Sequence, residues 1–366
     1  MIYKIPVYKP SLKGKEKEYV NACLDSTWIS SKGEFISKFE TNFSKFIGAK
    51  YSTTVSNGTV ALHVALLSLG IKSGDEVIVP SLTYIASVNA IAYCGAKPVF
   101  VDSDKDTWQM MPEDVEKKIT EKTKAIMVVH LYGNAVDMEK INYIAKKYKL
   151  YVIEDCAEAF GTLYKNKHVG TFGDVSTFSF FGNKTITCGE GGMVSTNNED
   201  IYKKAFKIKG QGLAEGKEYW HDIIGYNYRM TNICAGIGLA QLERADELID
   251  KKINIAKKYI ELLKNLPLRF QIPTKETKHT YWMFSILVQN SEERDTLREF
   301  LRKEGIETRP VFYPISQMPM YKISDPLPNA EDISQRGINL PSYPDLTEEE
   351  INYIVEKIKL FYEKHI

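Results

Sequence analysis

Lys184 stands in "FSFFGNKTITCGEGG", residues 178–192, between a run of strand-forming residues and a glycine-rich turn with little charge nearby. A surface lysine needs no such setting. Weak solvation disfavours the charged form of an amine, so a lysine held there is partly unprotonated at neutral pH. Such an amine can capture a reactive carbonyl carbon as a Schiff base. An ordinary loop lysine would fit the same residues. Two further stretches carry chemistry of their own. In "SNGTVALHVALL", Ser56, Asn57, Gly58 and Thr59 directly precede a predicted helix. The first amides of a helix are unpaired and favour an anion, and Gly58 would let the backbone approach a phosphate closely. A plain N-cap with a turn glycine is the other reading. In "VIEDCAEAFG", Asp155 follows the predicted strand "YVIE". The carboxyl ends of strands in an open α/β sheet are where ligands bind, although Asp155 could equally start the next helix.

Taken together the three stretches match one cofactor. A phosphate cradle, a carboxylate that keeps a pyridine nitrogen protonated and an amine for the aldehyde carbon are what pyridoxal 5'-phosphate requires.

The elements that must position these residues follow from the pattern. Between about 51 and 196, short β-rich runs ("YSTTV", "DEVIVPS", "KPVFVD", "AIMVVH", "LYVIED") alternate with helical segments. Gly70 and Gly95 read as helix stops. This alternation predicts βαβ crossovers and a large, mostly parallel sheet covered by helices on both faces. "DVSTFSFF" and "GGMVSTN" read as strands flanking the lysine segment. Farther on comes a long helical stretch with "GIG" as its expected weak point. "YWMFSILV" and "IETRPVFYP" read as strands, "SEERDTLREFLRKEG" as a helix, and Thr347 with Glu350 as a capping box. The expected division is a large α/β domain over residues 1–245, including the N-terminal segment, and a smaller α+β domain over 246–366.

Bulk composition narrows the partners. Charged residues make up 26% and the formal net charge is +1, so nothing points to nucleic acid or a membrane surface. No apolar run approaches the roughly 18 residues a span needs. The N-terminal residues lack the apolar core of a signal peptide. Five cysteines without a C-x-x-C pair argue against a disulfide framework, and six scattered histidines argue against zinc. A reducing cytoplasm is the expected setting.

Ordered matches along the whole chain carry a more specific signal. "STWISSKGEF", "TVSNGTVALH", "VPSLTYIASVNAI", "IEDCAEAFG", "GTFGDVSTFSFFGNKTITCGEGGMV", "YWHDIIGYNYRMTNICAGIGLAQLE" and "GINLPSYPDLT" resemble the DegT/DnrJ/EryC1/StrS sugar aminotransferases. The resemblance implies the fold type I architecture of pyridoxal phosphate enzymes, akin to aspartate aminotransferase. It implies that Lys184 binds the cofactor and moves protons, and that Asp155 pairs with the pyridinium nitrogen. Gly58, Thr59 and Ser179 would hold the phosphate, Tyr84 would stack on the ring and Glu158 would lie near the ring hydroxyl. Asn227, in "GYNYR", would reach the phosphate from a neighbouring subunit. That makes a homodimer with shared sites the expected assembly, alone or within a tetramer. Trp28, Arg309 and Tyr313 are the candidate sugar contacts.

The implied reaction moves an amino group from L-glutamate to a nucleotide-linked 4-keto sugar. "EDCAEA" resembles the members that aminate C4 of GDP-4-keto-6-deoxy-D-mannose for surface polysaccharide. The alternatives are a UDP-linked 4-keto-6-deoxy sugar and a sensor that binds the cofactor without turnover. Cys188, Asn134 and Ser316 depart from the usual pattern, at positions expected to touch the sugar more than the chemistry.

Overall fold

A computed structural model gives the architecture and describes residues 3–365. Its centre is a seven-stranded sheet in the order Tyr51–Val55, Gly192–Thr196, Val175–Ser179, Tyr151–Asp155, Thr123–Val129, Glu76–Pro80, Lys97–Val101. Only Gly192–Thr196 runs against the rest, pairing antiparallel with both its neighbours. The other pairings are parallel. Strand residues alternate between two buried layers. Ile78, Ile126, Val128 and Val152 pack on one face, and Val77, Ala125, Met127 and Ile153 on the other. The central strands Glu76–Pro80 and Thr123–Val129 are thus buried on both sides, which is why they read as near-continuous apolar runs, whereas the edge strand Lys97–Val101 starts exposed. On the first face lies the helix Glu34–Ile47, whose Phe35, Phe39, Phe43 and Ile47 recur every four residues along one stripe. Full burial of each such side chain stabilises the fold by about 1.5–3 kcal/mol.

The helical stretch after residue 231 corrects one expectation. Helix Asn232–Leu242 runs unbroken through Gly236 and Gly238, and the break before helix Ala245–Leu263 falls at Glu243–Arg244. The glycine serves packing instead. A Cβ on Gly238 would lie 2.7 Å from the Phe39 ring and 2.6 Å from Cys188 Sγ. Two expected strands are also shorter than read, at Phe284–Leu287 and Arg309–Pro310. They belong to an antiparallel four-stranded sheet with Arg269–Phe270 and Gly337–Leu340. The capping box forms: Thr347 Oγ1 accepts the Glu350 amide at 3.2 Å and Glu350 Oε2 accepts the Thr347 amide at 2.8 Å.

The N-terminal segment docks on the small sheet's side of the molecule. Ile5 bridges Ile306 and shares a buried cluster with Leu297, Leu301 and Ile338. We propose a division near residue 245 with residues 5–8 strapped to the smaller unit. No helix among the described residues is long and apolar enough to cross a membrane.

Candidate active site

Seven of the expected residues meet in one cleft of about 530 Å³: Gly58, Thr59, Tyr84, Asp155, Glu158, Ser179 and Lys184. It opens at the carboxyl ends of the parallel strands. Asp155 is the last residue of Tyr151–Asp155, Ser179 the last of Val175–Ser179, and helix Gly58–Ser68 starts beside them.

Helix Gly58–Ser68 is capped by Asn57, whose Oδ1 accepts the Val60 amide at 3.0 Å. The amides of Gly58 and Thr59 precede the first intrahelical bond and point out of the helix end. A Cβ on Gly58 would lie 2.6 Å from Ser179 Cβ, and one on Gly192 would lie 2.5 Å from the Asn57 carbonyl oxygen. Only glycines let this turn close onto the strand ends.

Asp155 is 4% exposed. Its Oδ2 accepts the Ser87 hydroxyl at 2.8 Å and its Oδ1 the Ala157 amide at 3.0 Å. No described cation lies within 4.0 Å of it. Burial pushes its carboxyl above the usual range, against the pull of those two donors and of Lys184. A carboxylate desolvated without a pairing cation suits a cationic ligand atom.

Lys184 lies in the turn after Val175–Ser179, with its side chain 13% exposed and Nζ 3.9 Å from Glu158 Oε1. Desolvation lowers its pKa, partly offset by Glu158 and then Asp155. Glu158 is pushed up to about 7, first by desolvation, while Lys184 and the Tyr132 amide hold it down. Burial thus weakens the charged forms of both groups, as at sites built for proton transfer. Asn183 Oδ1, buried without a protein partner, also lines this cleft. The donor set fits pyridoxal phosphate: helix-start amides and a hydroxyl for a phosphate, a buried carboxylate for a ring nitrogen and a desolvated amine for an aldehyde carbon all line one cleft.

Three of the expected residues lie elsewhere. Among the described residues that line the cleft there is no Trp28, Arg309 or Asn227. Trp28 is exposed and its carbonyl accepts Asn232 Nδ2 at 2.7 Å. Arg309 pairs with Glu307 at 2.5 Å. Asn227 is exposed and accepts both Nε and Nη2 of Arg229, at 3.2 and 3.1 Å. Tyr313 borders an adjoining hollow that shares Tyr84 and Phe312 with the cleft. The three departures lie buried. Asn134 is fully buried and donates to the Thr107 and Ile272 carbonyls. Ser316 is buried against the Ser81 hydroxyl at 2.8 Å, and Cys188 packs on Gly191 and Gly238.

Sequence reasoning missed Ser87, Trp282 and Phe312. Ser87 lies three residues into the helix Ile85–Tyr93, a position that reads as helix interior. Trp282, inside "YWMFSILV", was absorbed into an expected strand, but it precedes the strand and covers Lys184.

The profile of the DegT/DnrJ/EryC1/StrS aminotransferase family matches residues 10–359. The chain is 63% identical over 359 residues to the GDP-perosamine synthase of Escherichia coli O157:H7, covering 98% of each chain. It is 52% identical to that of Vibrio cholerae, covering 98% of this chain and 99% of the relative. Among solved structures it is similar to the putative sugar aminotransferase Spr1654 from Streptococcus pneumoniae in its PLP form. There the TM-score is 0.94, the identity 28% and the coverage 100% of both chains. The chain belongs to the DegT/DnrJ/EryC1/StrS aminotransferase family.

Proposed function

We propose that this aminotransferase moves an amino group from L-glutamate to C4 of GDP-4-keto-6-deoxy-D-mannose, giving GDP-perosamine for surface polysaccharide. The observation that carries the reading is the 63% identity, over 98% of both chains, with a GDP-perosamine synthase. Pyridoxal phosphate, when bound, supplies an aldehyde that condenses with amines and a cationic ring that draws electrons from the bond being broken.

The protein's own share is binding and proton transfer. The Gly58 and Thr59 amides and the Ser179 hydroxyl would hold the phosphate. Asp155 would keep the ring nitrogen protonated, Glu158 would lie by the ring hydroxyl and Tyr84 would cover a ring face. Lys184 Nζ would take the α-proton of glutamate and later deliver a proton to the sugar C4. The amine form does the first and the ammonium form the second, so a lowered pKa serves both. The site would be completed by a second copy of the chain, whose Asn227 reaches the phosphate, with Trp28, Arg309 and Tyr313 near the sugar. A cytoplasmic homodimer follows from this reading.

The deciding experiment incubates the protein with L-glutamate and a panel of GDP- and UDP-linked 4-keto-6-deoxy sugars. Expected are an aminated GDP-sugar by mass, one 2-oxoglutarate per product, and parallel double-reciprocal lines. Amination of UDP-sugars alone would move the substrate assignment. A bound chromophore without exchange would leave a sensor.

The phosphate cradle makes its own prediction. In Gly58→Ala, the added Cβ meets Ser179 Cβ at 2.6 Å. Overpacking of this kind costs about 1–3 kcal/mol. Cofactor affinity should fall about tenfold or more, with a lower melting temperature. Adding Ser179→Gly should recover the melting temperature but not the affinity. Unchanged affinity in Gly58→Ala would remove the phosphate from this helix end.

A further inference from the structure

Two successive carbonyls of the lysine turn are held from outside the large sheet. Trp282 Nε1 donates to the Asn183 carbonyl at 2.8 Å, and the Tyr8 hydroxyl donates to the Lys184 carbonyl. Trp282 leads into the strand Phe284–Leu287 of the small sheet. Tyr8 ends the strap that docks through Ile5 on Gly305 and Glu307. The same indole lies over the amine itself, with Lys184 Nζ 3.8 Å from the ring centroid. The indole is 4% exposed and is backed by Tyr132, stacked at 5.9 Å and 22°. Tyr132 in turn gives its amide to Glu158 Oε2 at 3.0 Å. One side chain therefore touches the amine through its face and the backbone beside it through its N–H.

We infer that Trp282 is a positioning residue for the reaction, which holds Lys184 through two separable contacts. The ring face holds the amine, and the N–H, helped by Tyr8, fixes the turn. This inference rests on reading Lys184 as the reactive amine.

The physical case is specific to an indole. The charged groups facing Lys184 are Glu158 at 3.9 Å and, less closely, Asp155. An aromatic face attracts the ammonium without offering it a proton acceptor. It excludes water while leaving the amine free to give up its proton. The N–H contact stops the turn from rotating, so the amine returns to one place after each transfer. A mere space-filler would need neither contact.

Two variants separate the contacts. Trp282→Leu keeps an apolar filler but loses face and N–H, whereas Trp282→Phe keeps a face and loses the N–H. The first readout is competitive labelling of the full-length, cofactor-free protein with a neutral acylating reagent. Modification of Lys184 is followed by peptide mass against pH. In Trp282→Leu the midpoint should fall by about one pH unit, because the ammonium loses its aromatic partner. In Trp282→Phe it should stay near that of the unaltered protein. The second readout is steady-state kinetics of the loaded enzyme. Trp282→Phe and Tyr8→Phe should each lower kcat about tenfold, the loss of one hydrogen bond, with KM for the sugar nucleotide unchanged. A midpoint that is unmoved or raised in Trp282→Leu, or that shifts equally in Trp282→Phe, overturns the inference. So does an unchanged kcat in Trp282→Phe, which decides the matter even where Trp282→Leu does not fold. If the unaltered protein binds no pyridoxal phosphate the proposed function fails, while the labelling comparison still decides on Trp282.

Discussion

Turnover should fall by at least about a thousandfold when Lys184 becomes alanine, because one amine is asked both to hold the cofactor and to move the proton. The fold should survive, since the turn is held through the Asn183 and Lys184 carbonyls, which the substitution leaves in place. Lys184→Arg should be nearly as inactive. A guanidinium keeps the charge beside Glu158 but cannot give up its proton near neutrality. Added small primary amines should restore part of the activity of Lys184→Ala and none to Lys184→Arg, whose side chain fills the space. Borohydride reduction and peptide mapping of the unaltered, loaded protein should place the cofactor on residue 184. Stability gives an independent check. Burial lowers the Lys184 pKa below its ordinary 10.5. Between the folded pKa and 10.5 the unfolded chain binds more protons, so this group makes stability rise with pH across that window. In Lys184→Ala that contribution should vanish from chemical unfolding measured against pH. Activity within tenfold of the unaltered protein would show that another group moves the proton.

Much of the site could be read from the chain because each part rests on local chemistry. A glycine-capped helix start, a carboxylate at a strand end and a lysine before a glycine turn are properties of a few consecutive residues. Their convergence followed from the alternation of strands and helices, since parallel strands bring their carboxyl ends to one edge. What escaped notice depends on contacts far apart in sequence. Trp282 reaches Asn183 across 99 residues, and Tyr8 reaches Lys184 across 176. Nothing local distinguishes such a tryptophan from a strand residue. The "GIG" break failed for the same reason: Gly238 answers to Phe39 and Cys188 in space, while helix propensity sees only its flexibility. Asn134 and Ser316 were expected among the sugar contacts because they depart from the family pattern there. Their side chains instead satisfy buried backbone and a buried hydroxyl. Residues 5–8 are held on the small sheet's side by the Ile5–Ile306 bridge and by Val7, whose amide donates to Glu307 Oε2 and whose carbonyl accepts the Ser342 amide, long-range contacts that no periodicity announces.

Asp155→Asn should raise the dissociation constant for pyridoxal phosphate about tenfold to a hundredfold and cut the rate by about a hundredfold to a thousandfold. The substitution is close to isosteric. The new amide can still accept from the Ala157 N–H and can donate to the Ser87 oxygen, so the two contacts that hold the side chain persist in altered form. What disappears is the negative charge. Asp155→Ala should lose as much affinity and also stability, because it removes the charged acceptor of the buried Ser87 hydroxyl, which keeps only Thr83 Oγ1 at 3.2 Å. The acid side of the affinity profile separates charge from shape. Burial raises the Asp155 pKa above 3.8 in the protein without ligand. A cationic ring nitrogen favours the carboxylate, so affinity should weaken as pH falls through that raised pKa and protonates it. Asp155→Asn should lack this component of the profile, because its amide does not titrate there. A free ring nitrogen that stays protonated without help would give Asp155→Asn the affinity, rate and acid limb of the unaltered protein. That result would remove Asp155 from the chemistry and leave it a purely structural cap at the strand end.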